Sequence, residues 1–217
     1  MKAMNKISVA HLCRLFAVGL SMMAICACSM LRPTTTPHPA FYSLDSTRDS
    51  APVVAPAVAP TLIINPTSSA SGFDSPRIIY VREAHQLEYF AHSEWVDPPA
   101  RMLTPLLVIA VENSGAFRAV VLTPSAAAGD LRLDTEIIRL QHEFQTQPSR
   151  VRFTLRAYLV VEKTRRVLAW REFDAVVPAA SEDPYGGVVA ANRAVQTVLE
   201  DLSAFCAEAA RSARMEK

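Results

Sequence analysis

The chain has 217 residues, with 22 Lys and Arg against 21 Asp and Glu, so its formal net charge is +1. This balance argues against a nucleic-acid-binding protein, which usually carries a strong excess of basic residues. Half of the residues are apolar and 20% are charged, a composition too hydrophobic for a wholly disordered chain. The length suits one compact domain with additional segments.

The N-terminal region is typical of a secretory signal. Basic residues precede an apolar stretch over residues 15–27, which is too short to cross a bilayer as a helix. The stretch leads into Ile25-Cys26-Ala27-Cys28, which resembles the bacterial lipobox. The resemblance implies that residues 1–27 are a lipoprotein signal peptide, and that Cys28 becomes the first residue of the mature chain and carries diacylglyceryl and palmitate groups.

Two other interpretations of this region remain open: an ordinary signal peptide cut near Ala27, which leaves Cys28 unmodified, and an N-terminal anchor that is never cut.

Lipidated chains with several acyl groups stay at a membrane, because each buried CH2 contributes about 0.8 kcal/mol. Ser29 follows the cysteine where Asp would signal retention at the inner membrane. By resemblance to enterobacterial sorting, we expect the inner leaflet of the outer membrane of a Gram-negative cell envelope, facing the periplasm.

Residues 28–60 are predicted to form the lipidated N terminus and a tether, because prolines recur there among Thr, Ser and Ala. The exception is 41–44, with the sequence Phe-Tyr-Ser-Leu, which is predicted to form a short edge strand. The compact domain is predicted to span residues 61–210, and residues 211–217 are predicted to fray.

Short strands are predicted at residues 62–65, 77–82 and 87–90. A helix is predicted to follow, with Asp97 as its capping residue and prolines in its first positions. Apolar residues then recur at helical spacing up to Val111, and Gly115 is predicted to end the helix.

A further strand is predicted at residues 117–122, followed by three long alternating strands at 131–144, 151–161 and 166–177, which we interpret as an antiparallel meander. The apolar positions change from odd to even numbers near Ile137 and Ile138, which indicates a β-bulge. An apolar stripe over residues 185–210 predicts a long closing helix. The expected fold is therefore a single α+β domain, with a mostly antiparallel sheet and two helices packed on one face.

Motifs that carry catalysis are missing from the sequence. It has no Gly-rich phosphate loop, no G-x-S-x-G motif and no zinc-binding cysteine pair. His85 and His92 could be read as part of a metal cluster, and Asp130, Asp134 and Glu136 as acid–base carboxylates, but solvated surface positions are the preferred interpretation of both sets. We therefore expect no catalytic residue, no metal and no cofactor, and we expect that the protein is not an enzyme.

Two groups of residues are candidates for a partner-docking surface. The first consists of aromatic residues near a loop, and the second of basic residues on the polar face of one strand; they are Tyr89, Phe90 and Trp95, and Arg150, Arg152 and Arg156. Core packing for the tryptophan and an ordinary solvated strand edge for the arginines remain open as alternatives. A second basic run, Lys163 to Arg166, lies in the turn after that strand. Cys206 is expected to be a core residue.

Several stretches together resemble the ABC-type transport auxiliary lipoproteins that are associated with MCE-domain lipid transporters. The resemblance covers about residues 40–208, and its most specific part is the stretch from Tyr89 to the Trp-Val-Asp-Pro-Pro sequence that begins at Trp95. The stretches that carry it are 41–44, 72–80, 87–90, 93–103, 114–117 and 190–194.

This resemblance implies a non-enzymatic accessory protein whose partners are a periplasmic MCE-domain protein, an inner-membrane permease and an ATPase. Such a protein would dock the MCE conduit at the outer membrane or hand over phospholipid. A homo-oligomer held together by an exposed strand edge is also compatible with the sequence. The alternative function is that of an envelope-assembly lipoprotein, acting as a plug or chaperone for an outer-membrane barrel protein.

Overall fold

The computed structural model describes residues 38–45 and 55–215. The elements described below belong to one compact unit, Pro39–Lys217. Cys28, the predicted signal peptide and much of the predicted tether lie outside the described residues, so the lipidation site and the signal peptide stay predictions.

The described residues form nine strands and two helices. In chain order these are β1 (Ala40–Tyr42), β2 (Thr61–Ile64), β3 (Ser68–Ser69), β4 (Arg77–Val81), β5 (Glu88–Trp95), α1 (Pro99–Asn113), β6 (Ala119–Leu122), β7 (Leu131–Glu143), β8 (Arg150–Val161), β9 (Val167–Pro178) and α2 (Pro184–Met215).

The nine strands belong to one sheet, and β7 is its central strand. One edge of β7 pairs antiparallel with β8, which pairs antiparallel with β9. The other edge is long enough to pair in parallel with β2, β3 and β4 at successive positions. The predicted α+β class and the meander are confirmed. The sheet as a whole is mixed, because the short strands form parallel pairs. Parallel strands need long connections, and the connection between the parallel strands β2 and β6 includes α1.

The bulge predicted near Ile137 is present in β7. The register between β7 and β8 shifts between Ile137 and Arg139. Before the shift the odd-numbered Leu133 and Ile137 are buried, and after it the even-numbered Leu140 and His142 are buried. The extra residue therefore keeps apolar side chains on the core face along the whole strand.

The sheet and both helices share one hydrophobic core. This core includes Phe153 and Leu155 of β8, Leu103 of α1, and Val195 and Leu202 of α2, whose side chains are fully buried. Burial of an apolar side chain of this size stabilises a fold by about 1.5–3 kcal/mol. This layer of helices on the core face leaves the opposite face of β7, β8 and β9 to polar side chains.

The start of α1 differs from the prediction. Its N-cap is Pro98, which makes no side-chain cap hydrogen bond, and Pro99 is the first helical residue. Asp97 therefore lies one position too early to cap the helix, and its carboxylate instead lies 3.4 Å from the guanidinium of Arg101. Gly115 follows the helix with a φ of 61°, in agreement with the predicted end.

Residues on both sides of the predicted 61–210 range also take part in the described structure. The predicted edge strand is confirmed as β1, which pairs in parallel with β5. Leu44 and Ala59, from the sequence assigned to the tether, are both buried. Helix α2 continues past Ala210 to Met215.

Candidate functional site

Tyr89 is the exposed member of the predicted aromatic group. It lies on β5 with 53% of its surface exposed. The guanidinium carbon of Arg77, on the neighbouring strand β4, lies 4.2 Å from the centre of its ring. Such a cation–π contact holds the ring in place while leaving part of it accessible. Tyr89 therefore presents a positioned aromatic surface at the β4–β5 edge.

Phe90 is partly buried and packs against the core, since neighbouring strand residues point to opposite faces. Its ring lies 4.6 Å from that of Tyr80 and 6.4 Å from that of Phe144, measured between ring centres. Trp95 is only 4% exposed and belongs to the core, so its place in the predicted docking surface is corrected to a packing role. Trp95 ends β5, and its backbone N–H donates a hydrogen bond to the carbonyl oxygen of Pro76.

The three predicted arginines lie side by side on the polar face of β8, and each one faces a carboxylate on a neighbouring strand. Arg150 lies 2.9 Å and Arg152 3.1 Å from Glu143 on β7. Arg152 also lies 2.7 Å from Asp174 on β9.

Arg156 lies 3.0 Å from Glu172 on β9 and 3.7 Å from Glu136 on β7. We call the three arginines and their carboxylate partners the charge ladder. The positive charges of these candidate docking residues are therefore offset within the sheet. An incoming acidic group would compete with carboxylates that are already held in place.

Glu143 is the most buried carboxylate of the ladder, with a side chain only 7% exposed. Burial raises the pKa of Glu143, but hydrogen bonds from Gln141, Arg150 and Arg152 outweigh that effect and leave the pKa lowered. The ladder thus depends on a buried negative charge at the end of β7.

A second buried polar group surrounds His142, which also lies near the end of β7. Its Nε2 lies 2.8 Å from the hydroxyl of Ser149, and the backbone N–H of Ser149 donates to Glu182. Burial lowers the pKa of His142, with Glu182 and Asp183 acting in the opposite direction. Ser149 is fully buried, so this Ser–His pair has no access to a substrate in the described structure.

The carboxylates considered for acid–base chemistry are engaged by neighbouring groups of the fold. The carboxylate of Asp130 accepts a hydrogen bond from the backbone of Thr61, and that of Asp134 accepts one from the side chain of Asn65. Within residues 38–45 and 55–215, no group of three or more His, Cys, Asp and Glu side chains is placed to hold a metal ion. Cys206 is buried, and burial raises its pKa to about 12.

A cleft of about 760 Å³ lies where the β8–β9 turn, the segment 57–60, the start of β7 and the end of α2 meet. We call it the hairpin cleft. Basic and apolar side chains line it together: Arg118, Lys163 and Arg166, and Val58, Leu131 and Val161. The basic run at Lys163 was visible in the sequence, but its juxtaposition with Arg118 was not, because it depends on the pairing of β2 with both β6 and β7.

None of the helices in the described part of the chain is long and apolar enough to cross a membrane.

The fold is similar to that of protein XCC0632 from Xanthomonas campestris, whose crystal structure matches with a TM-score of 0.70 at 24% sequence identity, over 81% of this chain and 98% of that chain. A crystal structure of an uncharacterised protein matches with a TM-score of 0.61 at 11% identity, over 78% of this chain and 99% of that chain. At these identities the likeness shows a shared α+β fold and nothing more. No curated protein matches the sequence.

The sequence matches the family model of the ABC-type transport auxiliary lipoprotein component over residues 42–203. Because this match takes in more than half of the chain, the protein belongs to the ABC-type transport auxiliary lipoprotein family. The family resemblance expected from the sequence is thereby confirmed. The association with MCE systems and the position at the outer membrane stay predictions.

Proposed function

We propose that this lipoprotein is a non-enzymatic accessory subunit of an ABC/MCE-type transporter that moves phospholipid between the inner and outer membranes. It docks the periplasmic MCE conduit at the outer membrane. Its partners are the MCE-domain protein and, through that protein, the permease and ATPase of the inner membrane. The observation that carries the proposal is the family match over residues 42–203, which begins after a lipobox ending at Cys28.

The proposed anchor is the acylated Cys28, and Ser29 directs the protein to the inner leaflet of the outer membrane. Several acyl chains bind a bilayer almost irreversibly, so the folded domain stays near the membrane surface and faces the periplasm. A subunit held at this position meets the outer-membrane end of a conduit that starts at the inner membrane.

Tyr89 is the strongest candidate for contact with the conduit. It is the one member of the predicted docking group that combines large exposure with a fixed orientation, through its contact with Arg77. Exposed aromatic residues of this kind often contribute much of the binding energy at protein interfaces. The arginines of β8, in contrast, are engaged by carboxylates of this same chain.

The proposal is tested by purifying the tagged lipoprotein from native membranes in mild detergent and identifying co-purifying proteins by mass spectrometry. We expect an MCE protein with its permease and ATPase. The Cys28→Ser variant should lose them, because the unanchored domain no longer concentrates at the membrane. Tyr89→Ala should reduce recovery, whereas Tyr185→Ala, which removes a comparably exposed tyrosine from α2, serves as its matched control.

Recovery of an outer-membrane barrel protein alone, without any inner-membrane subunit, would contradict the transport proposal. That result would favour the alternative role of plug or chaperone for a barrel protein.

A further inference from the structure

The hairpin cleft differs from the rest of the charged surface in having positive charges that lack carboxylate partners. Among the described residues, no Asp or Glu forms an ion pair with Lys163 or Arg166. Their neighbour Arg165 is paired with Glu162 at 3.1 Å, and the same Glu162 is also held by Arg132 at 2.9 Å. Both oxygens of the Glu162 carboxylate are therefore already engaged by other arginines.

Arg118 brings a third positive charge to the cleft from a different part of the chain. Its guanidinium donates a hydrogen bond of 2.9 Å to the hydroxyl of Thr61, which orients the side chain. Asp130 contributes one negative charge to the lining, but one of its oxygens accepts a hydrogen bond of 2.8 Å from the backbone of Thr61. Three cations against one engaged carboxylate leave the cleft positive.

Apolar side chains form the remaining walls. Val58 is 81% exposed, and it lies in the same cleft as Val161 and Ala210. An inorganic anion satisfies the cations but gains nothing from these apolar groups. A ligand with an anionic phosphate and an apolar body satisfies both, because Arg and Lys bind phosphate oxygens and buried apolar surface leaves water.

We propose that the hairpin cleft binds an amphiphile with an anionic phosphate head group, with its phosphate between Lys163, Arg166 and Arg118 and its apolar body against Val58. The volume of about 760 Å³ admits a head group and the first part of the attached chains. The biological meaning of this site rests on the proposed transport role, whereas the binding itself depends only on the residues of the cleft.

The test uses the mature chain with Cys28→Ser, which keeps every described residue and has no acyl chains to mask binding. Isothermal titration calorimetry measures the affinity for dihexanoyl phosphatidylglycerol below its micelle concentration. Dihexanoyl phosphatidylcholine and inorganic phosphate are titrated in parallel. We expect saturable binding of the anionic lipid, and weaker binding of both comparison ligands.

Lys163→Gln with Arg166→Gln should weaken binding of the anionic lipid about 30-fold, since each cation near an anionic head group contributes roughly a factor of five. Val58→Asp should also weaken it. Arg101→Gln with Arg193→Gln removes the same charge from exposed helix positions and should leave the affinity unchanged. Thermal melts followed by circular dichroism verify that the variants remain folded.

Absence of saturable binding would overturn the proposal, as would equal losses in the cleft variant and its control. Inorganic phosphate that binds as tightly as the lipid would also overturn it, because the apolar wall would then contribute nothing. The co-purification experiment addresses partner proteins rather than this cleft. Failure of one experiment therefore leaves the other proposal standing.

Discussion

Gly187 lies directly against the imidazole of His142. A Cβ atom added at residue 187 would lie 2.5 Å from Nδ1 of His142, well inside normal contact distance. His142 is buried and bonded to Ser149, so it has little room to move away. The first turn of α2 can therefore approach β7 this closely only because residue 187 has no side chain.

Gly187→Ala should destabilise the domain, although alanine is the better helix former by about 1 kcal/mol. Overpacking of this kind typically lowers the free energy of unfolding by about 1–3 kcal/mol, which exceeds the gain in helix propensity. Urea unfolding measures the change. In the His142→Ala background the same glycine substitution should be tolerated better, and purely additive effects of the two substitutions would show that the contact is unimportant.

The pKa of His142 predicts a loss of stability in mild acid. Because burial lowers this pKa in the folded state, the unfolded chain, with a histidine pKa near 6.5, binds the proton more readily. The contribution of neutral His142 to the free energy of unfolding is therefore fully present above pH ~6.5, and it decreases as the pH falls below that value. The free energy of unfolding measured between pH 7.5 and 5.5 checks this expectation.

His142→Gln removes the titrating group and keeps a side chain that can bond to Ser149. This variant should be less stable at neutral pH but should show a flatter pH dependence over the same interval. An unchanged slope in the variant would assign the acid sensitivity to other groups.

Removal of the buried carboxylate in the charge ladder should be far more damaging than removal of an exposed one. Glu143→Gln leaves Arg150 and Arg152 without the charge they share, and we expect a loss of about 1–3 kcal/mol. Glu172, whose side chain is 43% exposed, pairs with Arg156. Glu172→Gln should change stability by less than about 1 kcal/mol. Similar effects of the two substitutions in urea titrations would contradict the importance assigned to burial.

Cys206 should be unreactive in the folded protein. It is buried, and its pKa of about 12 leaves a thiolate fraction at pH 8 roughly a thousandfold below that of a free cysteine. In the mature Cys28→Ser chain it is the remaining thiol, so its reaction with a chromogenic disulfide reagent is easily followed. We expect slow modification in buffer and rapid modification in 6 M guanidinium chloride. Rapid modification in buffer would mean that α2 does not cover the core.

Much of the fold could be predicted because it rests on local repetition. Alternation along residues 131–144 and 151–161 predicted long strands there, and the change of parity in the first of them located the bulge near Ile137. The apolar stripe of α2 was equally clear. The parallel pairing of β2, β3 and β4 with one edge of β7 has no such local pattern, since it depends on connections through other elements.

The candidate sites were harder to predict because they depend on register. The arginines of β8 were visible as a positive stripe, but only the pairing of the strands places Glu143 and Asp174 beside them. The burial of Trp95 depends on where β5 ends. Arg118 reaches the hairpin cleft through its bond to Thr61, although a long stretch of sequence separates the two residues.

The central claim, that this lipoprotein docks an MCE conduit in the cell envelope, is tested most directly by photo-crosslinking in living cells. A photoreactive amino acid replaces Tyr89 in one strain and Arg193, on the exposed side of α2, in a control strain. The account predicts an adduct with an MCE-domain protein from position 89 and much less of it from position 193. An adduct only with an outer-membrane barrel protein, or equal MCE adducts from both positions, would contradict it.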